Sequence, residues 1–572
     1  MLIQLENDVK NILYEKYGKS LKDKNNIKHI ISKLIFELPP EKFIDNFDVS
    51  TNIALCIAKD LQKSPLDIAD ELKNEIQKLE YVDNINIEKP AFLNIKFKDN
   101  ILLHTAFNIS KNGDKNIVKN LGNGEKINVE FCSANPTGPL HIGHARGTIF
   151  GDVLASLLAK SGYNVCREYY VNDAGGQMEK LEKSIQWRID GCKEELPDGC
   201  YAGDYLQAIA NERKKVLLKQ PDKKWSKIET AKEIIETLIL PTIKRLKVKY
   251  DVFTSEQTLK DNNAIENGIQ HLTDLGFIYK GILQPPKGKP IEDYEPREQL
   301  LFKSSQFGDD TDRPLAKSDG SHTYFASDIA YHYDKWKRGF NNMVVVLGAD
   351  HKGYVKRLTS AVKAISNNEG EVHIKLCELV NFMKNGQMVK MSKRKNNFLT
   401  IDDVLDEIDP NILRFIILTR KADTVLNFDL EKAKEQSKDN PIWYIQYAHS
   451  RCCSVLENAK KQGYDIDAEI DIDNTHHILP HEFHLLLVKA NFYTRFIELA
   501  VKNYEPYFFA NYIIQLATEF HSIWSLGIEN DKLRFIQDDK IATMINLKIV
   551  KCIKNLIHDA LKAFGVEALN RM

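Results

Sequence analysis

The sequence predicts a multidomain α/β protein built on a parallel sheet, and three observations carry that reading. Residues 126–171 read as strand, loop, helix and strand. Residues 343–351, MVVVLGADH, form another unbroken apolar run that ends at a loop. Beyond residue 430 glycine becomes scarce: Gly463, Gly527 and Gly565 stand where an even spread of the chain's 28 would give about seven, which favours long helices.

The elements follow in chain order. Residues 1–112 read as a small α+β domain. DIADELKNEIQKL places Ile68, Leu72, Ile76 and Leu79 at helical spacing. AFLNIKF, residues 91–97, alternates like a half-buried strand. KNGDKNIVKNLGNGEK (111–126), with three glycines and many lysines, reads as an inter-domain linker. KINVEF (126–131) is then an apolar strand, CSANPTGP (132–139) a loop, and residues 141–162 a helix with Ile142, Ile149, Val153 and Leu157 on one face. NVCREYYV (164–171) is a second strand, and a crossover of this length implies parallel pairing. Charged helical stretches over about 180–300 interrupt the pattern as an insertion. Residues 113–430 are therefore expected to form one Rossmann-like domain with insertions, and residues 431–572 a separate all-helical domain.

Composition limits the function. The net charge is −1, with 43% hydrophobic and 28% charged residues, which excludes a disordered chain and a strongly basic nucleic-acid coat. A local basic patch on such a protein can still bind phosphates. The nine cysteines show no CxxC spacing; Cys192 and Cys200 come nearest to a metal pair but lack further ligands, so no metal site is expected. The N-terminus carries early acids and no long apolar core, and no stretch reaches the ~20 apolar residues that span a bilayer. A cytoplasmic protein that does not engage membranes is the expectation.

Two constellations carry chemistry. The first is ANPTGPLHIGH (134–144), between strand and helix. Glycines there admit a ligand close to the backbone, and a helix N-terminus favours phosphate. His141 and His144, three apart, can donate to phosphates as charge builds on a leaving pyrophosphate. The second is KMSKR (390–394), after the hairpin signal Asn385-Gly386. A loop with Lys390 and Lys393 can close on a triphosphate and neutralise it.

Together these motifs resemble the "HIGH" and "KMSKS" signatures of class I aminoacyl-tRNA synthetases. Surrounding blocks resemble the arginine family of that class: VEFCSANPTGPLHIGHARG, YVNDAGGQ (170–177), SDGSHTYFASDIAYHYDK (318–335), GADHKGYVKRL (348–358), NFDLEKA (427–433), DNPIWYIQYAHSR (439–451) and the C-terminal DALKAFGVEALNRM. STNIALCIAK (50–59) and KPAFLNIKF resemble its extra N-terminal domain. The resemblance spans essentially the whole chain. It departs at Arg394, where serine is usual, at Lys395-Asn396-Asn397, and at EKPAF (88–92), which lacks a glycine.

The resemblance implies ATP-dependent ligation of arginine to tRNA(Arg) through an arginyl-adenylate, with Mg2+ accompanying ATP and no tightly bound metal. It implies an N-terminal tRNA-binding domain, a catalytic domain and a C-terminal anticodon-binding domain; the oligomeric state is not legible in the sequence, and a monomer is the expectation. It assigns catalysis to His141, His144, Lys390 and Lys393. ATP contacts fall on Thr137, Gly138, Pro139, His141, Gly143, His144, Lys390, Met391, Ser392 and Lys393. Arginine contacts fall on Glu130, Ser133, Asn135, Tyr324, Asp328 and His351, and tRNA contacts on Tyr447 and Arg451 in the helical domain. The chemistry agrees: a guanidinium needs a carboxylate fork, which Asp328 offers, and a flat wall, which Tyr324 offers. The cysteine enzyme of the same class would need a zinc cluster that these cysteines do not offer. A paralogue acting without tRNA would usually lack the helical domain, and a non-catalytic tRNA binder would not need both signatures.

Overall fold

The computed structural model describes residues 1–18, 33–115, 117–283, 297–317, 319–384, 386–388, 399–437, 439–475 and 477–572. The N-terminal domain is an antiparallel sheet of β1 (Phe36–Glu37), β2 (Val49–Thr51), β3 (Val82–Glu88) and β4 (Phe92–Phe97), in the order β1-β2-β4-β3. Leu93, Ile95 and Phe97 of β4 are buried, as the alternation predicts. The helix Pro65–Ile76 starts on Ser64 with proline in its first turn, where the missing N–H costs nothing. It buries Ile68, Leu72 and Ile76.

The central core is a five-stranded parallel sheet. Its strands are β5 (Lys126–Glu130), β6 (Asn164–Val171), β7 (Val252–Ser255), β11 (Asn342–Gly348) and β12 (Glu371–Cys377), in the order β12-β11-β5-β6-β7. The order reverses at β5, and at such a switch ligands sit beyond the carboxyl ends of the strands. The helix Ala145–Lys160 returns the chain from β5 to β6. Its approach is close: a Cβ on Gly151 would lie 2.3 Å from the Phe131 side chain, so only glycine fits. Two smaller sheets flank the core. One joins β8 (Ile278–Gly281), β9 (Gln299–Phe302) and β10 (Arg313–Pro314); the other joins β13 (Val380–Lys384), β14 (Gln387–Met388) and β15 (Leu426–Asp429).

The stretch over about 180–300 is not wholly an insertion. Its helices Leu206–Lys219 and Lys227–Ile234 precede β7, which joins the main sheet beside β6. The short β7, VFTS, lies among charged helical runs and has too little apolar signal to stand out as a core strand. The expected linker 111–126 is also packed. The Asp114 carboxylate accepts from Tyr493 Oη at 2.9 Å and pairs with Lys160, while Lys119 pairs with Glu6 and, at 2.8 Å, with Glu498.

Beyond β15 the described chain is helical, with Pro441–Lys461, His481–Asn491, Tyr493–Lys502, Tyr507–Glu529 and Lys540–Ala563 as its main helices. Arg414, fully buried, ties this domain to the core. It donates to Phe564 O at 2.9 Å, Leu246 O at 2.7 Å and Asp152 Oδ2 at 2.6 Å. Burying a guanidinium is costly unless its nitrogens are paired, and here two backbone carbonyls and one carboxylate each take a bond from a different nitrogen.

Candidate active site

The site is built at the carboxyl end of β5. After Glu130 the chain bends sharply, with Cys132 at φ 68° and Ser133 at φ 40°. Left-handed backbone in two successive non-glycine residues costs about 1–3 kcal/mol each. The bend is held by Ser133 N donating to Phe131 O at 3.0 Å and by Tyr170 N donating to Ser133 Oγ at 3.1 Å. It returns the Ser133 hydroxyl to Glu130 Oε1 at 3.1 Å. Further on, Asn135 is exposed and accepts from Asn172 Nδ2 at 3.1 Å. Tyr205 Oη donates to Thr137 O at 3.0 Å, and its ring lies 2.8 Å from where a Cβ on Gly138 would sit.

The sequence reading expects His141 and His144 on one helical turn. The turn is the tighter 3-10 kind over Ile142–His144, and His141 precedes it in extended backbone. The two imidazoles stack with centroids 3.7 Å apart. Gly143 is exposed between them. Lys390, Met391, Ser392, Lys393 and Arg394 lie outside the described residues, as do Asn385 and Lys395-Asn396-Asn397. The segment that follows them is fixed against the first motif. Ile142 N donates to Leu399 O at 3.0 Å and Ile401 N to Leu140 O at 2.9 Å, pairing His141 with Thr400 as a short antiparallel bridge. The first signature and the residues that follow the second in sequence thus meet at a single backbone seam.

The helix Tyr324–Lys337, capped by the Thr323 hydroxyl, brings the acid expected to read a guanidinium. Tyr324 opens that helix and is 83% exposed. Asp328, one turn on, is half-buried and accepts from Tyr354 Oη. Burial pushes its carboxyl up to about 7; Glu130 and Glu256 push the same way, and the Tyr354 hydroxyl and Lys335 only partly offset them. Tyr354 ends the 3-10 turn Ala349–Tyr354 that follows β11, and that turn also carries His351, exposed and 3.6 Å from Asp350. Glu130, Ser133, Asp328 and the His351 turn therefore share one edge of the sheet.

Two residues of this edge escaped the sequence reading. Glu256 is buried at the start of the helix Glu256–Asp261, directly after β7. Lys335 is fully buried, with Nζ 2.6 Å from Glu130 Oε2 and 4.2 Å from the Tyr331 ring centroid. In sequence the first looks like an ordinary first-turn acid and the second like a solvated lysine. The spacing of Asp328, Tyr331 and Lys335 along one helical face was the available signal.

In the helical domain, Tyr447 and Arg451 stand one turn apart, both half-buried. Arg451 lies 4.2 Å over the Tyr447 ring and 4.7 Å over Trp524, and donates to Tyr447 Oη at 3.1 Å. Trp443 packs on Tyr447 in a tilted pair, centroids 4.8 Å apart. The result is a cation set among aromatic faces.

This fold and the edge it presents define a class I aminoacyl-tRNA synthetase, and residues 107–452 match the family model described as "tRNA synthetases class I (R), catalytic domain". Residues 6–97 match "Arginyl tRNA synthetase N terminal domain" and residues 445–572 "DALR anticodon binding domain". The chain belongs to the arginyl-tRNA synthetase family. It is 43% identical over 585 residues to the arginine–tRNA ligase of Ehrlichia chaffeensis, covering 100% of both chains. Among solved structures, a putative arginyl-tRNA synthetase from Campylobacter jejuni superposes with TM-score 0.69 at 31% identity, over 83% of this chain and 100% of that one. The Thermus thermophilus arginyl-tRNA synthetase superposes with TM-score 0.72 at 18% identity, over 98% and 100%, which shows the shared fold.

Proposed function

We propose that this protein ligates L-arginine to tRNA(Arg) in two steps. The arginine carboxylate attacks the α-phosphorus of ATP, forming arginyl-adenylate and releasing pyrophosphate. A hydroxyl of the tRNA's terminal ribose then attacks the arginyl carbonyl, forming the ester and releasing AMP. The observation that carries this reading is the joining, at one sheet edge, of the paired histidines His141 and His144 with the acids Glu130 and Asp328. One group suits a developing phosphate charge and the other a cationic amino acid.

In this reading the ATP phosphates lie against Thr137–His144, with His141 and His144 donating to the oxygens that gain charge. Lys390 and Lys393 close over them from the loop whose exit is bridged to His141. Mg2+ arrives with ATP as part of the substrate. Asp328 takes the guanidinium, Tyr324 lies along its plane, and Glu130, Ser133, Asn135 and His351 receive the rest of the amino acid. The aromatic cluster of Tyr447 and Arg451 meets the anticodon arm, where an unpaired base can stack. We divide the chain at 112 and 430 into tRNA-binding, catalytic and anticodon-binding domains, and assign it to the cytoplasm as a monomer; among the described residues no helix is long and apolar enough to cross a membrane. The test is aminoacylation of total tRNA with each of the twenty amino acids, alongside ATP–pyrophosphate exchange with and without tRNA. Charging with arginine alone is expected; charging with another amino acid, or none, contradicts the reading.

A further inference from the structure

We infer that Lys335 is a positioning residue for arginine, a buried cation that fixes the Glu130 carboxylate before substrate arrives. This rests on the reading of Glu130 as an arginine contact. Glu130 is held at both oxygens, by the Lys335 ammonium at 2.6 Å and the Ser133 hydroxyl at 3.1 Å. Those partners come from separate elements: the helix Tyr324–Lys337 and the bend after β5. Ser133 is fixed in turn by the Tyr170 amide of β6.

A lysine with no exposed surface is rare, because its desolvation is expensive and an apolar side chain of the same volume usually stabilises the fold at least as well. Its retention here has a use that packing alone does not supply. A long carboxylate side chain that must be frozen on binding weakens affinity, and one already frozen does not. Lys335 also lies two turns from Asp328 on the same helix and draws the Asp328 carboxyl downward, against the push of burial and of Glu130. It is therefore placed to hold Glu130 and to tune Asp328 without touching substrate.

The test is calorimetric titration of the full chain with L-arginine, and steady-state kinetics with tRNA, for Lys335→Met, Glu130→Gln and the double variant. We expect Lys335→Met to weaken arginine binding by about tenfold or more, while the ATP KM and the rate at saturating arginine stay near wild type. A merely structural lysine would move both substrates together. The double variant, which leaves no lone buried charge, should bind arginine as Glu130→Gln alone does, since Lys335 acts through Glu130. That comparison holds even if Lys335→Met fails to fold. Unchanged binding in Glu130→Gln sinks the Glu130 assignment and this inference with it. Weakened binding there with wild-type binding in Lys335→Met, or a double variant weaker than Glu130→Gln, overturns the inference alone.

Discussion

Two clusters of charge in this molecule treat their acids differently. At the seam between the N-terminal and helical domains, His484 donates to two carboxylates, with Nε2 2.8 Å from Asp48 and Nδ1 2.7 Å from Asp99. Burial works against the charged ring, but the bonds to Asp48 and Asp99 outweigh it and lift its pKa to about 9. Asp48 is satisfied again by the Phe97 amide at 2.7 Å. At the edge that carries Asp328, by contrast, Glu130 is paired with Lys335 and Glu256 with Lys260, while burial and these two acids push Asp328 up to about 7. Both seam acids are bonded by one charged ring, which ties the two domains together. Among the described residues Asp328 enters no ion pair and accepts from the neutral Tyr354 hydroxyl, which suits the cationic substrate proposed for it.

The sharpest way to break this contrast is Asp328→Asn. Loss of a charge-assisted fork in a closed site should cut arginine kcat/KM by about two or more orders of magnitude, with the ATP KM nearly unchanged. Parallel shifts in both constants, or in neither, would mean that Asp328 is not the guanidinium anchor. His144→Ala should slow arginine activation by about 10²-fold, the usual loss of one preorganised transition-state donor, while arginine binding persists. Pyrophosphate exchange and calorimetry on the same protein separate those effects.

The seam predicts a stability effect instead. A histidine whose pKa rises from 6.5 to about 9 on folding contributes about 3 kcal/mol, fully present below pH 6.5 and lost as pH rises through 9. Thermal unfolding followed from pH 6 to 10 should show that loss in the wild type and a flatter profile in His484→Gln, with arginine kinetics at neutral pH unaffected. A smaller effect is expected in the aromatic cluster around Tyr447, which we propose meets the anticodon arm. Tyr447→Ala should raise the tRNA KM by roughly tenfold, within the 1–3 kcal/mol of a stacked base, and leave arginine binding alone. A lowered melting temperature with unchanged tRNA binding would assign Tyr447 to the core.

How far the sequence anticipates these regions follows from locality. The β5–loop–helix unit was legible because an unbroken apolar strand, a Gly-Pro loop and a periodic helix lie within some 35 residues, each with its own signal. The helical C-terminal region was legible from scarce glycine. What could not be read were features made by tertiary contact. The short β7 joins the sheet only because β6 is there to pair with it, and it carries Glu256 to the site. Lys335 looks like a surface residue until β5 places Glu130 beside it. The linker's Asp114 and Lys119 are partnered by residues hundreds of positions away. His484 likewise gives no sign in HEFHLLLV that two acids of another domain will meet it.

The contrast itself rests on Asp328 waiting partly protonated for a cation. Binding of arginine should ionise it, so affinity should fall as pH drops below about 7 and level off above it. The direct measurement is calorimetric titration of L-arginine at pH 6 in two buffers of different ionisation enthalpy, for wild type and Asp328→Asn. The account predicts that the wild type releases nearly one proton per arginine bound and the variant none. Equal proton release in both proteins, or none in the wild type, would contradict it.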